Sequence, residues 1–248
     1  MSHLRKTDLS YIKGQIQDGR FTIGFIRIYL TMVLLLSGFL VGLSYAVANA
    51  NTVGWDTLSS GWHTIYYLEA ILFSIHLLML LFCRANNSLN QKILMVGLVL
   101  FTYKAALDPY ITISMFLKDS GTYTENIGLI MILISIGVLL HIIAFIFMVK
   151  KLKKNIDALL EQPKEPKVTI GIPVLFMLVT LVSIIMNNGY LGDFELMFGI
   201  LLFSGIYIGM LIGVCEFILA SYAVFRFPSF SVNPPVNQYY KRKKKKKR

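Results

Sequence analysis

Residues 127–149 read IGLIMILISIGVLLHIIAFIFMV, a run of 23 residues in which His141 is the only ionisable side chain. At 1.5 Å per residue, a helix of this length spans about 34 Å, enough to cross a hydrocarbon core of about 30 Å. The run lacks the alternation of a membrane β-barrel strand and is about twice as long as one. It therefore predicts a transmembrane helix, because a helix in lipid satisfies its own backbone hydrogen bonds.

Five further segments have the same character. The whole chain is 56% hydrophobic and 15% charged, with a mean hydropathy of +0.65. A soluble domain is about 45–50% apolar and about 25% charged. We predict an all-α polytopic bundle of six transmembrane helices, at Ile28–Ala48, His63–Phe82, Ile93–Leu117, Ile127–Val149, Val168–Met186 and Leu196–Phe225.

The segments outside these spans are short. Residues 1–27 form a basic amphipathic leader, residues 28–225 the transmembrane domain, and residues 226–248 a polybasic tail. Chains below about 40 residues rarely fold alone, so there is no room for a soluble catalytic, nucleotide-binding or DNA-binding domain. Any chemistry belongs between the helices or to a partner.

Basic residues are concentrated on one side of the predicted membrane. Of the 24 Lys and Arg residues, 22 fall in the N-terminus, the loops after the second and fourth spans, and the tail. The opposite loops hold only Lys118, together with five acidic residues. The positive-inside rule then places both termini in the cytoplasm, and the short loops favour a plasma membrane protein.

Besides histidines, four charged side chains lie within the predicted spans. Lys104 and Asp108 are four residues apart on one helix face, and Glu69 falls at a similar depth in the second span. Such groups are costly in lipid, so they indicate a cation or proton site, or the gate of a substrate path. The alternatives are a buried ion pair that fixes helix register, or a third segment broken at Pro109. Glu216 is expected near the inner surface, paired with Arg226 or a loop lysine.

Two histidines lie at matched depths in different spans. His76 and His141 are 6 and 8 residues from the inner ends of their segments. Paired helical histidines can be the axial ligands of a b-type haem. No second pair supports that assignment, and no other cofactor or metal motif is present, so we expect no cofactor.

The remaining features concern packing and lipid contact. Gly205, Gly209 and Gly213 form a small-residue face, which predicts close packing within the bundle, with a homodimer as the alternative. Leu9, Ile12 and Ile16 predict a short helix on the membrane surface, with a disordered leader as the alternative. The tail favours anionic lipid headgroups rather than nucleic acid as its partner, through Lys241, Arg242, Lys243, Lys244, Lys245, Lys246, Lys247 and Arg248.

No phosphate loop, nucleophile elbow, HExxH or CxxC pattern occurs, and nothing in the sequence argues for an enzyme. The intramembrane charges favour a transport component, a permease or transporter subunit. Six spans and cytoplasmic termini also suit the membrane half of an ABC-type exporter with an ATPase partner, by analogy of architecture alone. A membrane scaffold, immunity or regulatory protein is the alternative, and a haem redox protein is a more remote one.

Overall fold

The computed structural model describes residues 9–17, 19–50, 52–154 and 194–232. Within these ranges every regular element is a helix. Two short 3₁₀ helices, Trp55–Thr57 and Pro228–Phe230, accompany six α-helices: α1 (Ser10–Gln17), α2 (Ile23–Ala48), α3 (Ser60–Phe82), α4 (Ser88–Asp119), α5 (Tyr123–Lys154) and α6 (Phe194–Arg226).

Helices α2 to α6 are each long and apolar enough to cross a membrane. They coincide with five of the six segments expected from hydropathy, extended by a few residues at one or both ends. The remaining expected span, Val168–Met186, lies outside the described residues. Within the described residues the chain is therefore all-helical, and its five long apolar helices suggest a multi-pass membrane protein.

Cross-helix hydrogen bonds fix the direction of each helix. The Tyr29 hydroxyl pairs with that of Thr102, and Thr112 donates to the Leu40 carbonyl, so α2 and α4 run the same way. Helix α6 runs the opposite way, because Tyr110 bonds Ser204 and Ser221 donates to the carbonyl of Met95. Helices α3 and α5 are antiparallel to α4 as well, so α5 and α6 are parallel.

Helix α4 lies at the centre and is the most buried of the five long helices. It packs against α2, α3, α5 and α6. It continues without interruption through Pro109 to Asp119, so the alternative of a broken or re-entrant third segment is not what the structure shows. This continuity keeps Lys104 and Asp108 on one face of the helix.

The end of the bundle at which α2 begins also holds α1 and residues 227–232, and we call it the terminal face. Leu9, Ile12 and Ile16 are all buried there. They pack against α6 and the 3₁₀ helix at Pro228–Phe230. The expected helix is present, but its apolar stripe contacts protein rather than a lipid surface, because α6 and the 3₁₀ helix provide apolar surface of their own.

At the opposite face, aromatic rings surround the loop between α2 and α3. Trp55 lies 5.2 Å from Tyr45, 5.4 Å from Tyr66 and 4.6 Å from His63, between ring centroids. Gly54 enters the 3₁₀ turn with a φ of 73°, a backbone conformation that favours glycine. Aromatic rings of this kind are typical of the level at which a membrane meets water.

Candidate functional site: a buried ion-pair cluster

The Lys104 ammonium lies where α2, α3 and α4 meet. It donates to both carboxylate oxygens of Asp108, at 3.0 and 3.1 Å, and to the Ser37 hydroxyl at 2.7 Å. It also forms an ion pair with the Glu69 carboxylate. An ammonium has three N–H donors, and here three side chains from three helices surround it. We call Ser37, Glu69, Lys104 and Asp108 the ion-pair cluster.

The cluster is enclosed by protein. Asp108 is completely buried, and Glu69 and Lys104 are each 8% exposed. Two carboxylates face one ammonium, so the formal charge of the cluster is −1 when all three groups are ionised. An isolated charge at this depth costs several kcal/mol, and structural ion pairs in low dielectric are best tolerated when they balance. The cluster therefore holds one negative charge more than a structural pair requires.

The sequence places each partner for a simple geometric reason. Lys104 and Asp108 are one helical turn apart, and Thr112, a turn further on, donates to the carbonyls of Asp108 and Leu40. These bonds hold that turn of α4 against α2. The same packing brings the Ser37 hydroxyl to the ammonium.

Helix α3 contributes a narrow buried stripe, formed by Tyr66, Glu69, His76 and Leu80. Three of these four residues carry polar groups. The Tyr66 hydroxyl pairs with Ser44 at 2.6 Å, and Glu69 pairs with Lys104. Many of the large side chains on the rest of α3 are exposed. Polar contacts thus help to attach the helix to α2 and α4, beside apolar ones such as Phe73 on Gly38 and Met79 on Gly97.

His76 lies on the terminal side of the cluster. Its ring stacks on Phe101 of α4, with centroids 3.9 Å apart and planes inclined by 10°. The side chain is 1% exposed, and its Nε2 has no hydrogen-bond partner among the described residues. This orphaned ring nitrogen is unusual, because nearly all buried polar atoms are paired.

His141 lies on a different side of α4. Its Nε2 pairs with the Tyr103 hydroxyl and its Nδ1 with the Leu211 carbonyl, each at 2.7 Å. Phe101 and Tyr103 are two residues apart, about 200° around the α4 axis. The two histidines contact these opposite sides of α4, and both nitrogens of His141 have partners. The structure does not bring His76 and His141 together as the axial pair considered for a haem.

Glu216 does not join the cluster. It forms an ion pair with Arg20, just before α2, where both side chains are about one-third exposed. Among the described residues its partner is Arg20 rather than the expected Arg226, and the loop lysines at 164 and 167 lie outside the described ranges. The pairing follows from the position of the leader, because α1 folds back onto α6 and carries Arg20 to Glu216.

The glycine face of α6 is open within the described part of the chain. A Cβ added at Gly205, Gly209 or Gly213 would have no neighbour within 4 Å. Their expected packing partner within the bundle is not among residues 9–154. The expected lipid-contacting residues 241–248 lie outside the described ranges.

Sequence reasoning predicted Lys104 and Asp108 as a pair and Glu69 at a similar depth, but missed Ser37. A serine in an apolar span commonly bonds its own helix, so it gives no signal by itself.

Neither a protein-family model, nor a curated protein, nor a solved structure shows significant similarity to this chain.

Proposed function

We propose that the chain is a transport component of the plasma membrane, and that the ion-pair cluster is its cation- or proton-coupling site. The observation that carries this proposal is the unbalanced charge of two buried carboxylates around one ammonium. A cluster that only fixes helix register gains nothing from the second carboxylate. A cluster that takes up and releases a positive charge needs it.

The arrangement of Lys104 suggests how such a site works. Its ammonium fills the position between Glu69 and Asp108 that a bound cation would occupy. Neutralising one carboxylate frees Lys104 from one of its partners. Because Glu69 is on α3 and Asp108 on α4, that change alters the attachment of α3 to the rest of the bundle. A change of charge is thereby coupled to a change in helix contacts.

The experiment is current recording on proteoliposomes adsorbed to a solid-supported membrane. A panel of inorganic cations, small amines and proton gradients is applied to the wild type, Glu69→Gln and Asp108→Asn. We expect charge displacement in the wild type that both substitutions abolish. Glu125→Gln is the matched control, because this exposed acid of α5 lies outside the cluster. Full currents in a Glu69→Gln/Asp108→Asn double variant would contradict the proposal.

The proposal includes six spans with both termini in the cytoplasm. This topology is supported by the parallel directions of α5 and α6. Two hydrogen bonds connect these helices, from Tyr207 to the Ile134 carbonyl and from His141 to the Leu211 carbonyl. Residues 155–193 must lead from the terminal face, where α5 ends, to the opposite face, where α6 begins. That segment contains one apolar stretch of membrane-crossing length, Val168–Met186.

The orientation is tested with single cysteines in a chain from which Cys83 and Cys215 have been removed. We expect a membrane-impermeant maleimide to label Thr124→Cys in intact cells and Ala85→Cys only after permeabilisation. This orientation also places residues 241–248 beside the anionic inner leaflet and the terminal face toward an ATPase partner. Stoichiometric co-purification of an ATPase in mild detergent would support the exporter-subunit form of the proposal.

A further inference from the structure

We infer that the ion exchanged at the cluster is a proton, and that His76 passes it between the cluster and the terminal face of the bundle. This inference rests on the proposed function and deepens it by naming the ion and its path.

The first argument is the way the cluster is filled. Both oxygens of Asp108 contact the Lys104 ammonium, and Ser37 and Glu69 contact the same nitrogen. A metal ion at this position would need the ligands that the ammonium already occupies. A proton needs only one carboxylate oxygen. One proton also brings the formal charge of the cluster from −1 to zero.

The second argument is the placement of His76. It is seven residues beyond Glu69 on the buried stripe of α3, about 10.5 Å along the axis toward the terminal face. Phe101, on which it stacks, lies one turn from Lys104 on the same side of α4. The imidazole is therefore the nearest buried base on the terminal side of the cluster along α3.

The third argument is the unpartnered Nε2. His63 bonds Trp55 through Nε2, and His141 is bonded through both nitrogens. Only His76 among these three has a buried ring nitrogen without a protein partner in the described ranges. Such an atom is a position for ordered water, and an imidazole nitrogen can accept a proton and release it again.

The transfer balances with water as the carrier. The Nε2–H bond of the imidazolium breaks, and the first of a chain of waters accepts that proton, because about 10.5 Å of helix separates the two residues, too far for one water to bridge. Each water gives one of its own protons to the next, and the last gives one to a Glu69 oxygen. The imidazole becomes neutral, the waters are restored, and Glu69 becomes a neutral acid. Lys104 then keeps Ser37 and Asp108 as its partners. The reverse sequence returns the proton.

The charged and titratable groups on the helices around His76 define what else can respond to pH. Helix α3 carries Glu69, and α4 carries Lys104 and Asp108. On α2, the Tyr29 hydroxyl is paired with Thr102, and Arg27 lies toward the terminal end. A test must therefore distinguish proton transfer through His76 from a response of Glu69, Lys104, Asp108 or Tyr29, whereas the Arg27 guanidinium stays charged.

The experiment follows the carboxyl groups directly by infrared spectroscopy after a light-triggered drop in pH, on the full chain in lipid. The C=O band of a protonated buried carboxylic acid should appear in the wild type and be absent in Glu69→Gln. We expect His76→Gln to slow the appearance of this C=O band by at least about tenfold. That factor is smaller than the rate enhancement that a positioned proton donor typically contributes. His141→Gln is the control and should leave the rate unchanged.

A chemical rescue separates proton transfer from packing. In His76→Ala, the space left by the ring admits free imidazole, and added imidazole should restore the rate of band formation while added benzene does not. A wild-type rate in both His76 variants would overturn the inference. So would a rate that imidazole and benzene restore equally. Loss of currents in Glu69→Gln with no His76 effect would leave the proposed function standing without this path.

Discussion

Tyr207 of α6 lies against the backbone of Gly137 on α5, so that a Cβ at residue 137 would overlap the tyrosine ring. The ring has little freedom to move away. Its hydroxyl donates to the Ile134 carbonyl at 3.1 Å, and its edge contacts Tyr110, with centroids 5.2 Å apart. The parallel packing of α5 on α6 thus depends on a glycine at this position.

We predict that Gly137→Ala destabilises the protein by about 1–3 kcal/mol, the usual cost of overpacking a site that cannot relax. The measurement is the unfolding midpoint in mixed micelles titrated with a denaturing detergent. Gly128→Ala is the matched control on the same helix, because a Cβ there meets nothing within 4 Å. It should be neutral or stabilising by up to about 1 kcal/mol, as alanine is the better helix former. Equal effects at both positions would contradict the close contact.

The unbalanced charge of the cluster predicts which of its substitutions destabilises the fold. Lys104→Met leaves two buried carboxylates without a counter-charge, and we expect it to destabilise the fold by about 3–5 kcal/mol. Glu69→Gln leaves one carboxylate and one ammonium, so we expect it to be as stable as the wild type or more so. The same detergent titration gives the order. If Glu69→Gln were the more harmful change, the second carboxylate would be part of the structural framework.

The five long apolar helices were predictable because lipid imposes one requirement, internal satisfaction of the backbone, and continuous apolar runs meet it as helices. The pairing of Lys104 with Asp108 was predictable from helix geometry alone. The distance of Glu69 from its helix end gave its depth but not its partner. Ser37 and the orphaned Nε2 of His76 were beyond sequence reasoning, because both depend on the rotation of α2 and α3 about their axes.

For the leader, the sequence predicted the helix but not the surface that covers its apolar face. The stripe of Leu9, Ile12 and Ile16 predicted a helix, and the helix is there. Periodicity gives the apolar face but not what covers it, and a membrane surface and a protein surface are equally good partners for such a stripe. The stripe packs on α6 and the 3₁₀ helix at Pro228–Phe230, more than 190 positions away in sequence. Contacts of Arg20 with Glu216 and of Phe21 with Phe217 hold the following turn on the same helix.

We predict that the Arg20–Glu216 pair controls how firmly the leader is held. Arg20→Glu should raise amide hydrogen exchange in Leu9–Ile16, because two like charges would then face each other. Arg20→Glu combined with Glu216→Arg should restore protection. The side chains are about one-third exposed, so the coupling is expected to be at most about 1 kcal/mol. Exchange that stays equally fast in the double variant would show that the charges do not pair.

The open glycine face of α6 gives the last prediction, which concerns Val168–Met186. If this segment is the fifth of six spans, only seven residues, 187–193, connect it to Phe194, so it must lie beside α6. Small residues at Gly205, Gly209 and Gly213 let another helix approach closely there. We expect Gly209→Cys, in a chain lacking Cys83 and Cys215, to form an oxidative cross-link within one chain to a cysteine scanned through 174–181. Ile75→Cys on α3 is the control and should not cross-link with the same series. Cross-links that join two chains at Gly209 would instead show that this face is a homodimer interface.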